Sequence, residues 1–212
     1  AYALTRAVLP MRWLFQGISL IPIFAPSLLP GLALVYLFGN QGFFKELLGG
    51  AIYGFDGIVI AQVFYCIPHA TLILVTALAT ADARLYEAAE VLGTRKLRVF
   101  LTVTLPGAKY GLISAALVVF TLVITDFGIP KVIGGNYNVL ATDVYKQVIG
   151  QQNFSMGAVV GMVLLAPAAI AFLVDRLVQR KQVALLTARA VPLVPKPQLG
   201  RDALLTAFCT AV

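Results

Sequence analysis

The sequence predicts an all-α fold, a polytopic bundle of helices that crosses a membrane several times. Hydrophobic residues make up 60% of the chain and charged residues only 12%, and mean hydropathy is +0.91, whereas soluble domains are about half apolar and about a quarter charged. Long runs without charge recur, and each could cross the hydrocarbon core as a helix. Helices are the expected form because the backbone must satisfy its own hydrogen bonds in lipid.

About four full spans are predicted, followed by a fifth that is cut short. The run from Gly57 to Ala81, for example, contains no Asp, Glu, Lys or Arg. We place the four spans at residues 16–38, 57–79, 109–129 and 156–176. Because the chain stops inside a further apolar run, we expect it to be a piece of a longer protein.

Lysine and arginine residues are unevenly distributed between the segments that flank these spans. All 16 of them except Lys45, Lys131 and Lys146 lie before the first span, between the second and third, or after the fourth. Since positively charged segments tend to stay in the cytoplasm, we expect residues 80–108 and the C-terminal tail to be cytoplasmic. Basic residues that face anionic lipids explain the net charge of +7, and no nucleic-acid partner is predicted.

Proline residues mark two candidate positions on a translocation path. The first span contains Pro22, Pro26 and Pro30, which lie on nearly one helix face and each remove a backbone donor. A bent helix beside a pathway and a bend that serves only bundle geometry both fit this pattern. The second span includes Pro68, and His69 beside it is expected to be packed or hydrogen bonded. Pro26 and Pro68 are the path candidates.

Asp126 is a third candidate for the path. A carboxylate near membrane depth is costly and is typical of a functional site. Asp126 is also expected to be close to the outer interface, so capping of the outer loop is an alternative role. That loop, residues 130–155, is long and polar, with a short surface helix expected at 141–149, and it could receive a soluble partner.

Three prolines, at positions 192, 195 and 197, follow the fourth span and disfavour a helix there. The predicted domains are therefore a transmembrane module at 1–180, an extended cytoplasmic linker at 181–202, and the start of a further transmembrane segment at 203–212. A linker followed by a new span indicates a second membrane module.

Residues 87–106 carry the most specific pattern in the chain. The stretch from Asp82 to Leu92 is rich in helix formers, and Gly93 is expected to end that helix in the left-handed conformation. Thr94 is expected to cap a second short helix. Pro106 fits the first turn of the third span, where a missing N–H does no harm. We therefore expect two short cytoplasmic helices joined at Gly93.

The same stretch resembles the signature of ABC importer permeases. That signature is Glu-Ala-Ala, three residues, Gly, nine residues, an aliphatic residue, one residue and Leu-Pro, and every spacing is kept. The matching residues are Glu87, Ala88, Ala89, Gly93, Val103, Leu105 and Pro106. Val103 stands where the family usually has Ile. The resemblance covers about residues 16–180 and implies a type I ABC importer permease fold.

The resemblance also implies a role and a set of partners. The 87–106 element would dock into a dimer of ATP-binding subunits and transmit its opening and closing, with Ala88 and Ala89 allowing close approach and Glu87 and Glu90 offering charge. A periplasmic solute-binding protein and a second permease module would complete the assembly in the bacterial inner membrane. Since the sequence has no GxxxxGK[ST] phosphate loop, we expect no enzyme activity and no cofactor on this chain. ATP and Mg would bind the partner subunit.

The substrate and the class of transporter leave alternatives. Stretches such as FGNQGFFK and TDFGIPKVIGGNYN look most like 2-aminoethylphosphonate permeases, with iron(III) permeases as the closest alternative. An ion-coupled secondary carrier is the alternative of another class, and it would need ionisable groups near mid-membrane. Only Asp126 and His69 come near that position. A purely structural membrane subunit is a third alternative.

Overall fold

The protein is represented by a computed structural model that describes residues 1–48, 52–185, 191, 193, 197 and 199–211. All regular elements in these ranges are helices, which confirms the predicted all-α class. The α-helices are α1 Tyr2–Arg6, α2 Arg12–Leu20, α3 Leu28–Phe38, α4 Lys45–Leu48, α5 Phe55–Ala79, α6 Ala83–Val91, α7 Lys96–Val99, α8 Leu105–Thr125, α9 Gly128–Ile133, α10 Leu140–Tyr145, α11 Phe154–Leu185 and α12 Leu199–Ala211.

Three helices of the described part are long and apolar enough to cross a membrane. They are Phe55–Ala79, Lys96–Thr125 and Phe154–Arg180, and the count becomes four if the broken pair α2 and α3 is one span. The predicted spans at 57–79 and 156–176 lie inside the first and third of these. The described residues therefore carry three or four spans, close to the four expected.

The first predicted span, 16–38, is not one continuous helix. A 3-10 turn at Ile21–Phe24 follows α2, and the chain bends by 96° before α3 begins at Leu28. Pro22 and Pro26 lie at this interruption, where each lacks the N–H that a continuing helix would need. The expected bend is present, but it divides the segment into two helices.

The helix that contains the third predicted span begins much earlier than that span. Helix α7 runs through a π-helical turn at Phe100–Thr104 directly into α8, so one helix extends from Lys96 to Thr125. The second short helix expected after Gly93 is thus the first part of this long helix, not a separate element. Thr94 does not cap it, since the N-cap position is Arg95 and makes no side-chain capping bond.

The predicted linker, 181–202, is helical at both of its ends. Helix α11 continues to Leu185, and α12 begins at Leu199, two residues after Pro197. A proline just before a helix does not interrupt its hydrogen bonds, because the N–H groups of the first turn have no partners within the helix. Pro192 and Pro195 lie outside the described residues.

The chain divides into two compact units. The first, here called the basic unit, comprises Ala1–Ile21, Ala70–Ala116 and Val174–Val212, and the second, the near-neutral unit, comprises Pro22–His69 and Leu117–Leu173. Thirteen of the 16 lysines and arginines and five of the nine carboxylates belong to the basic unit, giving it a formal charge of +8 against −1 for the other. The two units, which are defined by packing, therefore also differ in formal charge.

Within the basic unit, Leu4, Ala7 and Leu9 form a buried apolar cluster. Elsewhere in this unit, small residues allow α5 and α8 to approach closely. A Cβ placed on Gly111 of α8 would lie 2.2 Å from the Cβ of Ala77 on α5, which is too short for two carbon atoms that are not bonded to each other. Gly111 is therefore required by the packing of α5 against α8.

Within the near-neutral unit, the core is built around the short helix α9. Ile129 and Ile133 are fully buried and pack with Leu34, Ile58 and other apolar residues of α3 and α5. Gly31 of α3 brings its backbone close to Ile129, since an added Cβ would lie 3.6 Å from the Ile129 Cα. Helix α9 thus acts as the centre of this unit although it has only six residues.

Candidate functional site

Helix α6 has an inner face that packs on the basic unit and an outer face that is exposed. Ala83, Tyr86 and Ala89 lie on the inner face, three residues apart, with the two alanines buried and Tyr86 half-buried. This spacing brings side chains to one side of a helix. The outer face exposes Arg84, Leu85, Glu87, Ala88, Glu90 and Val91.

Both ends of α6 are capped by residues that lie next to it in the sequence. At the start, the Asp82 Oδ1 accepts a hydrogen bond from the Arg84 N–H at 3.1 Å, which satisfies one free donor of the first turn. At the end, Gly93 has φ +63°, and its N–H donates to the Glu90 carbonyl while the Thr94 N–H donates to the Ala89 carbonyl, both at 3.0 Å. These two bonds form a Schellman motif, and the positive φ of Gly93 is the left-handed helix end that the sequence predicts.

On both sides of Gly93 the chain exposes apolar side chains, followed by basic ones. Val91 and Leu92, just before the glycine, are 87% and 80% exposed, and Leu97 is exposed at the start of the next helix. Its neighbours in sequence Arg95, Lys96 and Arg98 are exposed as well. Large aliphatic side chains are rarely exposed this fully in one short segment, and such patches commonly mark interaction sites.

The π-helical turn accounts for Pro106 within a continuous helix. Proline has no N–H to donate to the carbonyl four residues before it, and its ring would clash with that carbonyl. Here the Leu105 N–H donates to Phe100, five residues back, so the helix is locally widened just before the proline. This one extra residue in the turn accommodates Pro106 within the continuous helix.

A buried hydrogen-bond chain attaches the inner face of α6 to its unit. The Arg6 Nη2 donates to the Leu78 carbonyl at 3.2 Å and to the Tyr86 hydroxyl at 3.0 Å. The Tyr86 hydroxyl in turn donates to the Thr104 Oγ1 at 3.1 Å. Burial lowers the pKa of the Arg6 guanidinium from its usual value, and Tyr86 opposes this; arginine nonetheless stays protonated in proteins. Four segments of the chain meet in this network.

The structure separates the seven signature residues by exposure. Glu87, Ala88, Gly93, Leu105 and Pro106 are exposed. Val103 is half-buried and Ala89 is buried. The close approach expected of Ala88 and Ala89 toward a partner stays a prediction; Ala88 is open to it, whereas the side chain of Ala89 packs inward.

The side chain of Asp126 caps the N-terminus of α9. It is 8% exposed, and its two carboxylate oxygens accept hydrogen bonds from the Gly128 N–H at 3.1 Å and the Ile129 N–H at 3.3 Å. These are free donors of a helix N-terminus, which a carboxylate satisfies well. The geometry corresponds to the capping role considered for Asp126, while its role on a translocation path stays a prediction.

The two proline candidates have different surroundings within the near-neutral unit. Pro26 is exposed at the interruption before α3, and its carbonyl accepts from the Leu29 N–H. Pro68 is buried inside α5. His69 lies beside it with Nδ1 3.1 Å from the Tyr65 carbonyl, so the histidine is hydrogen bonded as expected. A Cβ on Gly128 would lie 2.5 Å from the Ser27 Oγ, so the start of α9 approaches the segment next to Pro26.

Sequence reasoning missed Arg6, Tyr86 and Thr104. In the sequence, Arg6 is only one of the basic residues that indicate the orientation of the chain in the membrane. Thr104 lies inside the signature, at a position where the signature specifies no residue type. The only local signal for Tyr86 is its spacing of three residues from Ala83 and Ala89. Their association depends on contacts between residues 72 and 80 positions apart in the chain.

Comparison with known proteins gives a family match over most of the chain. Residues 4–183 match a family described as binding-protein-dependent transport system inner membrane component. The chain is 30% identical over 186 residues to the ferric transport system permease protein FbpB of Actinobacillus pleuropneumoniae, covering 82% of this chain and 27% of that protein. It is 31% identical over 140 residues to the sulfate transport system permease protein CysT of Escherichia coli strain K12, covering 64% and 50%.

A solved structure with a similar fold belongs to a bacterial alginate ABC transporter in complex with an alginate pentasaccharide-bound periplasmic protein. The TM-score is 0.58 at 15% identity, and the match covers 89% of this chain and 72% of that chain. At this identity the likeness concerns the fold alone, and it confirms the predicted one. The chain spans less than a third of the ferric relatives that it matches.

Proposed function

The chain belongs to the family of inner membrane components of binding-protein-dependent transport systems, and we propose that it forms part of the permease of an ATP-driven ABC importer. The permease moves a small solute across the bacterial inner membrane. The three or four apolar helices of the described part provide the membrane-spanning body. The activity and the partners are proposals for the whole protein, because the chain spans less than a third of the length of the ferric relatives that it matches.

The outer face of α6 carries this proposal. It combines exposed apolar side chains, Leu85, Val91 and Leu92, with the exposed carboxylate of Glu87. A short helix with such a face can be bound in a groove of a partner protein. The Schellman motif at Gly93 fixes where the helix ends, so the apolar pair at 91 and 92 is held at the tip of the element.

The proposed occupant of that interface is a dimer of ATP-binding subunits. The sequence has no phosphate-binding loop, so ATP and Mg are assigned to this partner and the chain itself is assigned no enzyme activity. ATP binding closes the dimer, and α6 carries the movement to the membrane helices. Residues 80–108 and the C-terminal tail are placed in the cytoplasm because they hold most of the basic residues.

Two further partners complete the proposed machine. A solute-binding protein in the periplasm delivers the cargo to the outer segments, which include α10. A second permease module, on the same chain or on another copy, forms the other half of the pathway. Asp126, Pro26 and Pro68 are the proposed path residues, and all three belong to the near-neutral unit.

The proposed solute is 2-aminoethylphosphonate, supported by the likeness of the outer segments to phosphonate permeases. Iron(III) is the second candidate, favoured by two relatives named as ferric transport permeases, which are 30% and 29% identical to this chain. The two differ in charge and chemistry. A direct comparison of uptake therefore separates them.

The experiment uses the full-length protein with its ATP-binding subunit in proteoliposomes. A periplasmic solute-binding protein is supplied, loaded with either solute. We expect ATP-dependent uptake of 2-aminoethylphosphonate and strong loss of uptake and of binding-protein-stimulated ATP hydrolysis in Glu87→Lys and Gly93→Arg. Uptake of iron(III) without uptake of 2-aminoethylphosphonate would refute the proposed solute but not the proposed importer function. Uptake that needs an ion gradient and no ATP would overturn the importer in favour of a secondary carrier.

A further inference from the structure

Arg6 is a buried arginine whose side chain hydrogen bonds to both α5 and α6. Its side chain is 5% exposed, and a charged group so deeply buried is costly unless it is well bonded. The Nη2 atom donates to the carbonyl of Leu78, near the end of α5, and to the hydroxyl of Tyr86, in the middle of α6. Arg6 therefore connects α1 with two other helices of the basic unit.

The contact between Arg6 and Tyr86 has two parts. In addition to the hydrogen bond, the Arg6 Cζ lies 4.6 Å from the centre of the Tyr86 ring, within the range of a cation–π interaction. Among the described residues no carboxylate forms an ion pair with Arg6. The Arg6 Nε is buried and has no hydrogen-bond partner among the described residues, so the charge depends on the ring, the hydroxyl and the Leu78 carbonyl. Displacement of α6 would remove two of these three.

Tyr86 extends the connection to the long helix that begins at Lys96. Its hydroxyl donates to the Oγ1 of Thr104, which is 4% exposed and lies in the π-helical turn before Pro106. On the other side, the Arg6 carbonyl accepts a hydrogen bond from the Arg201 Nη2 at 2.7 Å. The chain of contacts runs from α12 through α1 and α6 to the start of the third span.

We propose that Arg6 and Tyr86 are positioning residues that couple the movement of α6 to α1 and to the third span. This inference rests on the proposed function, since it assumes that α6 receives force from an ATP-binding subunit. The outer face of α6 binds the partner, and the Arg6–Tyr86–Thr104 chain on the inner face makes the membrane helices follow. Without this chain, α6 moves with the partner while the spans stay behind.

The test measures solute imported per ATP hydrolysed by the full-length complex in proteoliposomes. Tyr86→Phe keeps the ring and removes the hydroxyl, and Arg6→Met keeps the aliphatic stem and removes the donors. We expect each to lower the import-to-hydrolysis ratio, by roughly tenfold for Arg6→Met, the size expected for loss of hydrogen bonds to a charged group. Arg6→Lys, which retains a charged donor, should recover part of the ratio.

Arg12→Met is the matched control, because Arg12 is an exposed arginine of the same unit. It should leave the ratio within twofold of the parent. If Arg6 only stabilises the fold, the yield of complex and both rates will fall together and the ratio will not change. That result, or an unchanged ratio in Tyr86→Phe, would overturn the inference.

The outcome is separable from failure of the proposed function. Failure of the importer itself would appear in the unsubstituted protein, as an absent ATP-binding subunit or absent ATP-dependent uptake. Failure of the coupling role would appear only in the variants, in a complex whose parent imports normally. Hydrogen exchange gives a second readout: the amides of residues 83–91 should exchange faster in Arg6→Met than in Arg12→Met.

Discussion

The basic unit and the near-neutral unit use their polar groups in different ways. In the basic unit, buried polar side chains join separate helices, as in the Arg6–Tyr86–Thr104 chain, and α6 exposes a mixed apolar and charged face. In the near-neutral unit, the buried carboxylate of Asp126 caps its own neighbouring helix, and the core around Ile129 and Ile133 is apolar. The first arrangement suits transmission of movement, and the second suits a fixed core.

The difference also concerns charge. The basic unit holds 13 of the 16 lysines and arginines, which supports the proposed cytoplasmic position of its loops. The near-neutral unit holds only Lys45, Lys131 and Lys146 among these residues. If the proposal holds, substitutions that act on a cytoplasmic partner are confined to the basic unit.

The largest effect is expected from the exposed apolar tip of α6. Val91→Gln with Leu92→Gln removes apolar contact from the proposed interface without adding charge. We expect the ATP-binding subunit to be retained on purification at least about 30-fold less strongly, the size of an interface hot spot. The matched control, Phe43→Gln, alters a side chain that is 86% exposed in the near-neutral unit. Equal retention of the subunit by both proteins would break the contrast between the units.

The second effect concerns packing inside the basic unit. Gly111→Ala places a methyl group 2.2 Å from the Ala77 Cβ, and such overpacking costs about 1–3 kcal/mol. Thermal unfolding in detergent should show a lower midpoint, and Ala77→Gly should recover part of the loss. On the same helix, Gly107 has open space around it. Gly107→Ala should therefore be neutral or slightly stabilising, and an equal loss there would refute the packing explanation.

The third effect tests the end of α6. Gly93 has φ +63° and nothing within 4 Å of an added Cβ, so Gly93→Ala meets no clash and costs only backbone strain, about 1–2 kcal/mol. Gly93→Asn should cost less, because asparagine tolerates the left-handed conformation. Hydrogen exchange of the Gly93 and Thr94 amides measures the Schellman bonds. Equal exchange in both variants would show that the left-handed turn is not what closes the helix.

The smallest effect separates the two roles of Asp126. Asp126→Ala removes the cap of α9 and should cost about 1 kcal/mol in thermal unfolding, whereas Asp126→Asn keeps an equivalent cap. If capping is the whole role, uptake by Asp126→Asn will equal that of the parent. Lower uptake by a normally stable Asp126→Asn would instead show that the charge acts on the translocated solute.

Much of the architecture could be predicted because lipid imposes strong rules on sequence. Charge-free runs located α5 and α11, and the left-handed turn at Gly93 followed from glycine after a run of helix formers. Pro22 and Pro26 indicated a bend but not a complete interruption, since the extent of a proline bend depends on what the neighbouring helices can satisfy.

The remaining features depend on contacts that local sequence does not record. The prediction of a separate second short helix was wrong, because a π turn lets the helix continue through Pro106. The sequence pattern alone does not show where a helical turn will accommodate an extra residue. The positions of Arg6, Tyr86 and Thr104 in one network depend on how distant segments pack. The inward direction of Ala89 also follows from packing, whereas the signature pattern treats Ala88 and Ala89 alike.

The most direct test of the central claim is photo-crosslinking from the tip of α6. A photoreactive phenylalanine replaces Leu92 in the full-length protein, which is purified with the ATP-binding subunit and the binding protein; a second protein carries it in place of Phe43. We predict a crosslink from position 92 to the ATP-binding subunit and none from position 43. In an intact complex, no crosslink from position 92, or one to that subunit from position 43, would contradict the assignment of α6 as the docking element.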